Sequence, residues 1–114
     1  MSYSFDTLED FDREARRLSK HYASFKKDLT ELTAQLVENP MMGVDLGGGV
    51  RKVRMRIRSK GKGKSGGARV ITNTANIILK ERKGKLTFMY IYDKSERSSV
   101  SDAFLLSLRE KLMP

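Results

Sequence analysis

The chain has 114 residues, a length that suits one domain with one hydrophobic core, and 39% of its residues are hydrophobic. It contains no Cys, which excludes disulfide frameworks, thiolate metal sites and cysteine nucleophiles. The formal net charge is +9, and an excess of that size favours a polyanionic partner such as nucleic acid. No apolar run approaches the roughly 18 residues of a membrane span, and the acidic N-terminus is unlike a signal peptide. We therefore expect a single cytoplasmic domain over residues 1–114 with no membrane partner.

The first part of the chain predicts a short strand and two helices. Residues 2–6 can form an edge strand. Apolar residues then recur at spacings of three and four along residues 8–22, and again along 25–36, which is typical of amphipathic helices. The second helix should end at Asn39-Pro40, because proline cannot continue it. The two helices are expected to form a hairpin whose apolar stripes face the core.

The second part predicts three strands and a last helix. Residues 41–49 are a glycine-rich connector, after which the apolar period changes to two along residues 50–58, as in a half-buried strand. Further strands are predicted at 68–79 and 86–92, and the last helix at about 99–112. The order β-α-α-β-β-β-α predicts an α+β fold. In it, the N-terminal helical hairpin packs on one side of a small antiparallel sheet and a C-terminal helix follows, with the helices covering one side and cations left on the other.

The last predicted strand is the most apolar of the three. Regular alternation would place Phe88, Tyr90 and Tyr92 on one face and Met89 and Ile91 on the other. Both sets are apolar or aromatic, so we expect this strand to be central and buried on both sides. The two tyrosines could stack on nucleic-acid bases or belong to the core, and the pattern alone does not decide between these roles.

The basic segment, residues 51–69, concentrates the charge. It holds nine Lys or Arg residues and no acid, which equals the net charge of the whole chain. In its first part Arg54 and Arg56 alternate with core residues, so one strand face is cationic. A glycine and lysine loop, residues 60–67, follows, in which glycines allow the backbone to approach phosphates closely. From the residues alone, the segment predicts phosphate binding, either with or without catalysis.

Two other kinds of site receive little support. Gly63-Lys64-Ser65 lacks the spacing of a phosphate-binding loop, since the position of the earlier glycine is Arg58 and a strand follows. The single histidine, His21, is interpreted as a surface residue near a helix end rather than a base. No pattern of metal ligands occurs in the sequence. We expect neither a metal nor another cofactor.

Five stretches, in order along the chain, resemble one family of bacterial proteins. They are FDREARRL at 11–18, ENP at 38–40, VRKVRMRI at 50–57, SKGKGKSGGARVI at 59–71 and YIYDKSE at 90–96. With these stretches the chain resembles the RelE/HigB group of type II toxin-antitoxin toxins, within the RelE/ParE superfamily. The resemblance implies a ribosome-dependent, metal-independent mRNA endonuclease, or mRNA interferase, that uses the 2′-hydroxyl as nucleophile. It also implies the ribosome and mRNA as partners, and a cognate antitoxin of the HigA type with a helix-turn-helix.

The resemblance further implies positions for the functional residues. The lysines on the family's second strand correspond to Arg54 and Arg56, with Arg58 as the alternative if the alignment slips by one pair. Arg69, which opens the next strand, is the candidate for contacting the scissile phosphate. Lys94, after the central strand, is the candidate for a further catalytic cation. The implied RNA-binding residues are Arg58, Lys60, Lys62, Lys64 and Glu96.

Two departures from the family pattern leave the general base open. Many RelE toxins carry a tyrosine in the C-terminal segment, but residues 98–102 contain none. Arginine also replaces lysine on the second strand, and arginine stays protonated. Lys94 or a loop lysine would have to act as base if any residue does. The alternative function is a non-nucleolytic protein of the same fold, either a ParE-like gyrase inhibitor or an RNA binder.

Overall fold

The computed structural model describes residues 3–112. Short 3-10 turns lie at Arg58–Lys60 and Leu79–Glu81. The helices and strands, in chain order, are β1 (Tyr3–Thr7), α1 (Glu9–His21), α2 (Phe25–Glu38), β2 (Val44–Gly47), β3 (Val50–Met55), β4 (Ala68–Ile78), β5 (Lys83–Asp93) and α3 (Asp102–Glu110). The predicted α+β class is confirmed. The connector predicted at 41–49 contains an additional strand, β2, which pairs with the start of β3. No helix within residues 3–112 is long and apolar enough to cross a membrane.

The five strands form one sheet in the order β1-β5-β4-β3-β2. Strands β2 to β5 are antiparallel neighbours, and for β3, β4 and β5 this pairing agrees with the prediction. Strand β1 instead runs parallel to β5, so the sheet is mixed rather than wholly antiparallel. A tight turn forces antiparallel pairing only between consecutive strands, whereas two helices and three strands lie between β1 and β5 along the chain.

The sheet is covered on both faces, each by different helices. On one face, α1 and α2 bury Leu18 and Leu36 against the sheet, and both side chains are fully inaccessible. Each such leucine contributes roughly 1.5–3 kcal/mol of hydrophobic stabilisation. On the other face, Leu108 of α3 packs with Val50, Ile71 and other residues in a second, smaller core. The expectation that the helices cover one side only is therefore wrong, because an amphipathic pattern shows that a helix has a buried stripe but not which sheet face receives it.

A β-bulge in β5 changes which side chains share a face. Ile71 of β4 pairs with Tyr90 and the next residue pairs with Phe88, so Met89 has no partner of its own. Met89 and Tyr90 consequently both lie with the α3 core, whereas Phe88 lies with the α1–α2 core. The predicted common face of Phe88 with Tyr90 and Tyr92 is wrong for this reason. The predicted central, doubly covered position of the strand is confirmed.

Strand β3 ends at Met55, earlier than the alternation predicts, because a buried acid draws the chain out of the sheet. The carboxylate of Asp28 on α2 is 2% exposed and accepts the backbone N–H of Arg58 at 3.1 Å. The chain then turns through Arg58–Lys60 into the glycine and lysine loop. At the other end of the molecule, α3 begins at Asp102 rather than near 99 because the hydroxyl of Ser101 accepts the N–H of Phe104 and caps the helix.

Candidate functional site

Three arginines project from the sheet on the side opposite the α1–α2 hairpin. Arg54 of β3 pairs in register with Arg69 of β4, which places both side chains on the same face. Arg56 follows the end of β3 between two buried core residues, Met55 and Ile57, so it points to the same side. We call these three arginines, 54, 56 and 69, the cationic face. Arg54 and Arg56 are exposed, as an interaction with a partner requires.

Arg69 differs from the other two arginines because it is 7% exposed. Its guanidinium donates to the backbone carbonyls of Lys64 at 3.3 Å, Ser65 at 3.1 Å and Ala68 at 3.2 Å. Arg69 therefore holds the end of the glycine and lysine loop against the sheet. In the free protein its donors are directed at carbonyl oxygens, which are also the kind of acceptor that a phosphate offers.

Lys94 follows the end of β5, at the end of the sheet where β4 begins and where Arg69 lies. Its backbone N–H donates to the carbonyl of Gly67 at 3.0 Å, and its ammonium donates to the carbonyl of Ser98 at 3.3 Å. Only glycine fits at position 67, since a Cβ there would lie 2.1 Å from the carbonyl oxygen of Met55. The close approach of β3, the loop and the end of β5 thus brings Lys94 near Arg69, although the two lie 25 positions apart.

The lysines of the loop fall into two groups. Lys62 and Lys64 are exposed and form no ion pair with residues 3–112. Lys60 lies in a buried cluster, and its side chain is only 7% exposed. The predicted set of RNA-binding lysines therefore contains two side chains that are free for a partner and one that is not.

The Asp93 cluster consists of Tyr22, Lys60, Asp93 and Ser95. The carboxylate of Asp93 is 1% exposed and accepts from the ammonium of Lys60 at 2.7 Å, from the hydroxyl of Ser95 at 2.7 Å and from the hydroxyl of Tyr22. Burial alone would raise the pKa of Asp93, but these hydrogen bonds outweigh it and hold the pKa well below its usual range. The hydrogen bond to Asp93, with burial, raises the pKa of Tyr22. The cluster joins the end of α1, the loop and the end of β5.

Arg58 and Glu96 are also bound within the protein. The guanidinium of Arg58 lies 3.3 Å from Asp28 and 2.7 Å from Glu31, and its pKa is raised chiefly by the hydrogen bond to Glu31. Glu96 lies 2.6 Å from Arg17 of α1, whose guanidinium lowers the pKa of that carboxyl. Direct RNA contact by Arg58, Lys60 or Glu96 stays a prediction. Their contacts in the free protein hold the loop and the turn after β5 in place.

Two residues beside the cationic face, Tyr92 and Arg97, are given no role by any motif in the sequence. Tyr92 pairs in register with Arg69, is 3% exposed and has a hydroxyl without a hydrogen-bond partner among the described residues. Burial raises its pKa, while the charges of Arg69 and Arg97 oppose that rise. Arg97 stacks over the rings of Tyr90 and Phe104 at 5.8 and 5.5 Å. The only local signal for Arg97 is its position in the polar turn after β5. Its aromatic partners lie in β5 and α3, so their proximity cannot be seen in the sequence.

These features define a class of protein: a small α+β domain that presents cations on a rigid sheet, suited to binding a phosphate chain. The chain belongs to the RelE toxin family, since residues 8–111 match the family described as the RelE toxin of the RelE / RelB toxin-antitoxin system. It is thus a toxin of a toxin-antitoxin system, and the family implies a cognate antitoxin as its partner.

A solved structure supports the fold. The chain is similar to the crystal structure of the isolated E. coli RelE toxin, with a TM-score of 0.51 and 14% sequence identity. The similarity covers 95% of this chain and 97% of the E. coli chain. At that identity the likeness concerns the fold alone. Among curated proteins no match was found.

Proposed function

We propose that this toxin is a ribosome-dependent mRNA endonuclease that acts in the cytoplasm and inhibits translation. Its activity is proposed to be neutralised by a cognate antitoxin of the HigA type with a helix-turn-helix. The observation that carries the proposal is the pairing of Arg54 with Arg69 on adjacent strands, with Lys94 at the same end of the sheet. Strands hold such side chains more rigidly than a loop would, and fixed cations stabilise developing charge without reorganising.

The proposed reaction is attack of the 2′-oxygen on the adjacent phosphorus. The new P–O bond forms as the bond to the 5′-oxygen breaks, which leaves a 2′,3′-cyclic phosphate and a 5′-hydroxyl. Negative charge on the phosphate oxygens is greatest in the transition state, where guanidinium groups stabilise it most. Arg54 and Arg56 are the proposed contacts for these oxygens because both are exposed on the cationic face. No metal is required by this scheme.

Arg69 is proposed to reach the scissile phosphate by exchanging acceptors. Its guanidinium now donates to the carbonyls of Lys64 and Ser65, and phosphate oxygens offer equivalent acceptors with a full charge. Contact with RNA would release those loop carbonyls. Binding and a shift of the loop would then occur together.

The proton of the 2′-hydroxyl needs an acceptor that the arginines cannot supply, because a guanidinium group stays protonated in proteins. Lys94 is the proposed base, with Lys62 or Lys64 of the loop as the alternative. The same group can return a proton to the leaving 5′-oxygen. Lys62 and Lys64 are also proposed to bind the RNA backbone.

Mapping of mRNA 5′ ends after induced expression tests the proposal. We expect new ends within translated regions, their loss with Arg54→Ala, and cleavage in vitro only when ribosomes are present. The proposal fails if the parent protein is toxic while ribosome-bound mRNA stays intact. Inhibition of gyrase supercoiling by such a preparation would instead support the ParE-like alternative.

A further inference from the structure

The turn after β5 carries Lys94, and hydrogen bonds to Asp93 build that turn. The backbone carbonyl of Asp93 accepts the N–H groups of Glu96 at 3.0 Å and Arg97 at 3.1 Å. The carboxylate of Asp93 accepts the backbone N–H of Ser95 at 2.9 Å and the hydroxyl of Ser95 at 2.7 Å. The residues on both sides of Lys94 are thus held through one buried acid. The place of Lys94 therefore depends on where that carboxylate lies.

Two side chains from other parts of the chain fix the carboxylate of Asp93. The ammonium of Lys60, in the turn after β3, lies 2.7 Å from Oδ1, and the hydroxyl of Tyr22, just past the end of α1, donates to Oδ2. Lys60 also donates to the hydroxyl of Ser95 at 3.3 Å and lies over the ring of Tyr22 at 5.5 Å. Lys60 thus contacts all three other members of the Asp93 cluster.

The side chain of Lys94 has few polar contacts of its own. Its ammonium donates to the carbonyl of Ser98 at 3.3 Å and forms no ion pair with residues 3–112. Its backbone N–H donates to the carbonyl of Gly67 at 3.0 Å, which ties the turn to the segment just before Arg69. A lysine with so few side-chain contacts keeps its place through the backbone that carries it. A shift of the turn would therefore move Lys94 relative to Arg69.

The family resemblance implies RNA binding by Lys60, but the burial of this lysine favours another role. Its side chain is 7% exposed, and its ammonium is directed at a carboxylate that is 1% exposed. Moving the ammonium to a phosphate would leave Asp93 buried without its counter-ion, which is strongly unfavourable. Lys62, two positions further along the loop, is exposed and forms no ion pair with the described residues.

We propose that Lys60 and Asp93 are positioning residues for the cleavage reaction, and that Lys60 does not bind RNA. Their ion pair holds the turn after β5, so that Lys94 keeps its position relative to Arg69. Lys94 touches the substrate, whereas Lys60 acts only through Asp93. The inference rests on the proposed function for the reaction itself, but the arrangement of the turn can be measured without any reaction.

A double-mutant cycle between Lys60 and Asp93 separates positioning from RNA contact. The measurement is cleavage of ribosome-bound mRNA over a range of ribosome concentrations, which gives kcat and KM. Lys60→Met leaves a buried carboxylate unpaired and Asp93→Asn leaves a buried ammonium unpaired, so each should lower kcat by about tenfold or more with little change in KM. Lys60→Met/Asp93→Asn should recover most of this loss, because no buried charge is then left unpaired.

Binding of single-stranded RNA gives a contrast between two lysines of the same loop. Lys62→Met should reduce the slope of log K against log salt by about 0.7, the value for one lost phosphate contact. Lys60→Met should leave that slope unchanged, since its ammonium is already occupied by Asp93. Both substitutions remove one positive charge, so net charge alone cannot produce the difference.

Amide hydrogen exchange reads the arrangement of the turn without RNA or ribosomes. The N–H of Lys94 donates to Gly67, and that of Ser95 donates to Asp93. In Lys60→Met these two amides should exchange about tenfold faster relative to amides in the middle of β4, which correct for any loss of global stability. Tyr22→Phe removes one hydrogen bond and leaves no buried charge, so it should fold and cause a smaller change in the same direction.

Three results would overturn the inference. The double variant could stay as slow as Lys60→Met, or Lys60→Met could reduce the salt slope as much as Lys62→Met, and either result would place Lys60 on the RNA. Unchanged exchange at Lys94 and Ser95 in both Lys60→Met and Tyr22→Phe is the third. With a parent protein that cuts mRNA, each of these refutes the inference and leaves the proposed function standing.

Failure of the proposed function has a different signature. The parent protein would then leave ribosome-bound mRNA intact, which would refute the role of the ion pair in cleavage together with the reaction. Amide exchange would still decide whether Lys60 and Asp93 hold the turn that carries Lys94.

Discussion

The two parts of the basic segment use the same residue types in different ways. In β3, Arg54 is exposed and forms no ion pair with an acid among residues 3–112. A few residues later, Arg58 and Lys60 turn toward the α1–α2 side, where Asp28 and Asp93 bind them. The pleat of the strand directs one set outward, whereas the turn after β3 brings the other set to buried carboxylates. A count of positive charges therefore overstates what a partner can reach.

The largest expected effect on stability comes from the buried ion pair between Lys60 and Asp93. Asp93→Ala would leave the ammonium of Lys60 buried without its anion, and it should lower the free energy of unfolding by about 3–5 kcal/mol. Urea unfolding measures this. Glu96→Ala, which breaks a half-exposed pair with Arg17, should cost at most about 1 kcal/mol. A loss below about 1 kcal/mol for Asp93→Ala would show that the cluster does not bind the loop to the rest of the fold.

The exposed Arg54 should have the largest effect on catalysis. Arg54→Ala is expected to lower the rate of mRNA cleavage by about 100-fold, since it removes one preorganised charge at the phosphate, with little change in stability. Arg58→Ala should do the reverse, lowering stability while most of the cleavage rate remains. Single-turnover cleavage on ribosomes and thermal unfolding give the two readouts. If Arg58→Ala lost as much rate as Arg54→Ala, the distinction between free and internally bound arginines would be wrong.

Acid should reduce the stability that the buried carboxylate of Asp93 contributes. The pKa of Asp93 is lower in the folded chain than in the unfolded one, so its contribution to stability is complete above the unfolded value of about 4 and is lost as the pH falls further. Urea midpoints measured from pH 6 down to pH 2 should decline for the parent. Asp93→Asn should begin lower and decline less. Parallel pH profiles for the two proteins would contradict the assignment.

The smallest expected effect concerns a single loop lysine. Lys62→Ala should reduce the salt dependence of single-stranded RNA binding by about 0.7 in the slope of log K against log salt, the value for one lost phosphate contact. Lys80→Ala, an exposed cation on the β4–β5 turn, serves as the control and should leave the slope unchanged. Indistinguishable slopes for the two variants would remove Lys62 from the proposed RNA path.

The sequence predicted elements whose pattern is local and missed features that depend on distant partners. Helices α1 and α2 follow from their apolar spacing, and the cationic side of β3 follows from its alternation. The hydrogen bond from Lys60 to Asp93 joins residues 33 positions apart, and that from Tyr22 joins residues 71 apart, so no local pattern indicates either. For the same reason, nothing local separates Lys60 from Lys62. Strand β2 was missed because its four residues lie among glycines and are all exposed.

At the bulge at Met89, the length of β5 can change without moving the cationic face. Tyr90 pairs with Ile71 and Phe88 pairs with Thr72, so consecutive residues of β4 pair with the residues on either side of Met89. Removing that residue would join the two halves of β5 without altering the match of Asp93 with Ala68. The cost would fall on the packing of α3, where Met89 is fully buried. A one-residue deletion elsewhere in β5 would shift one half of the strand and exchange the side chains facing α1 with those facing α3.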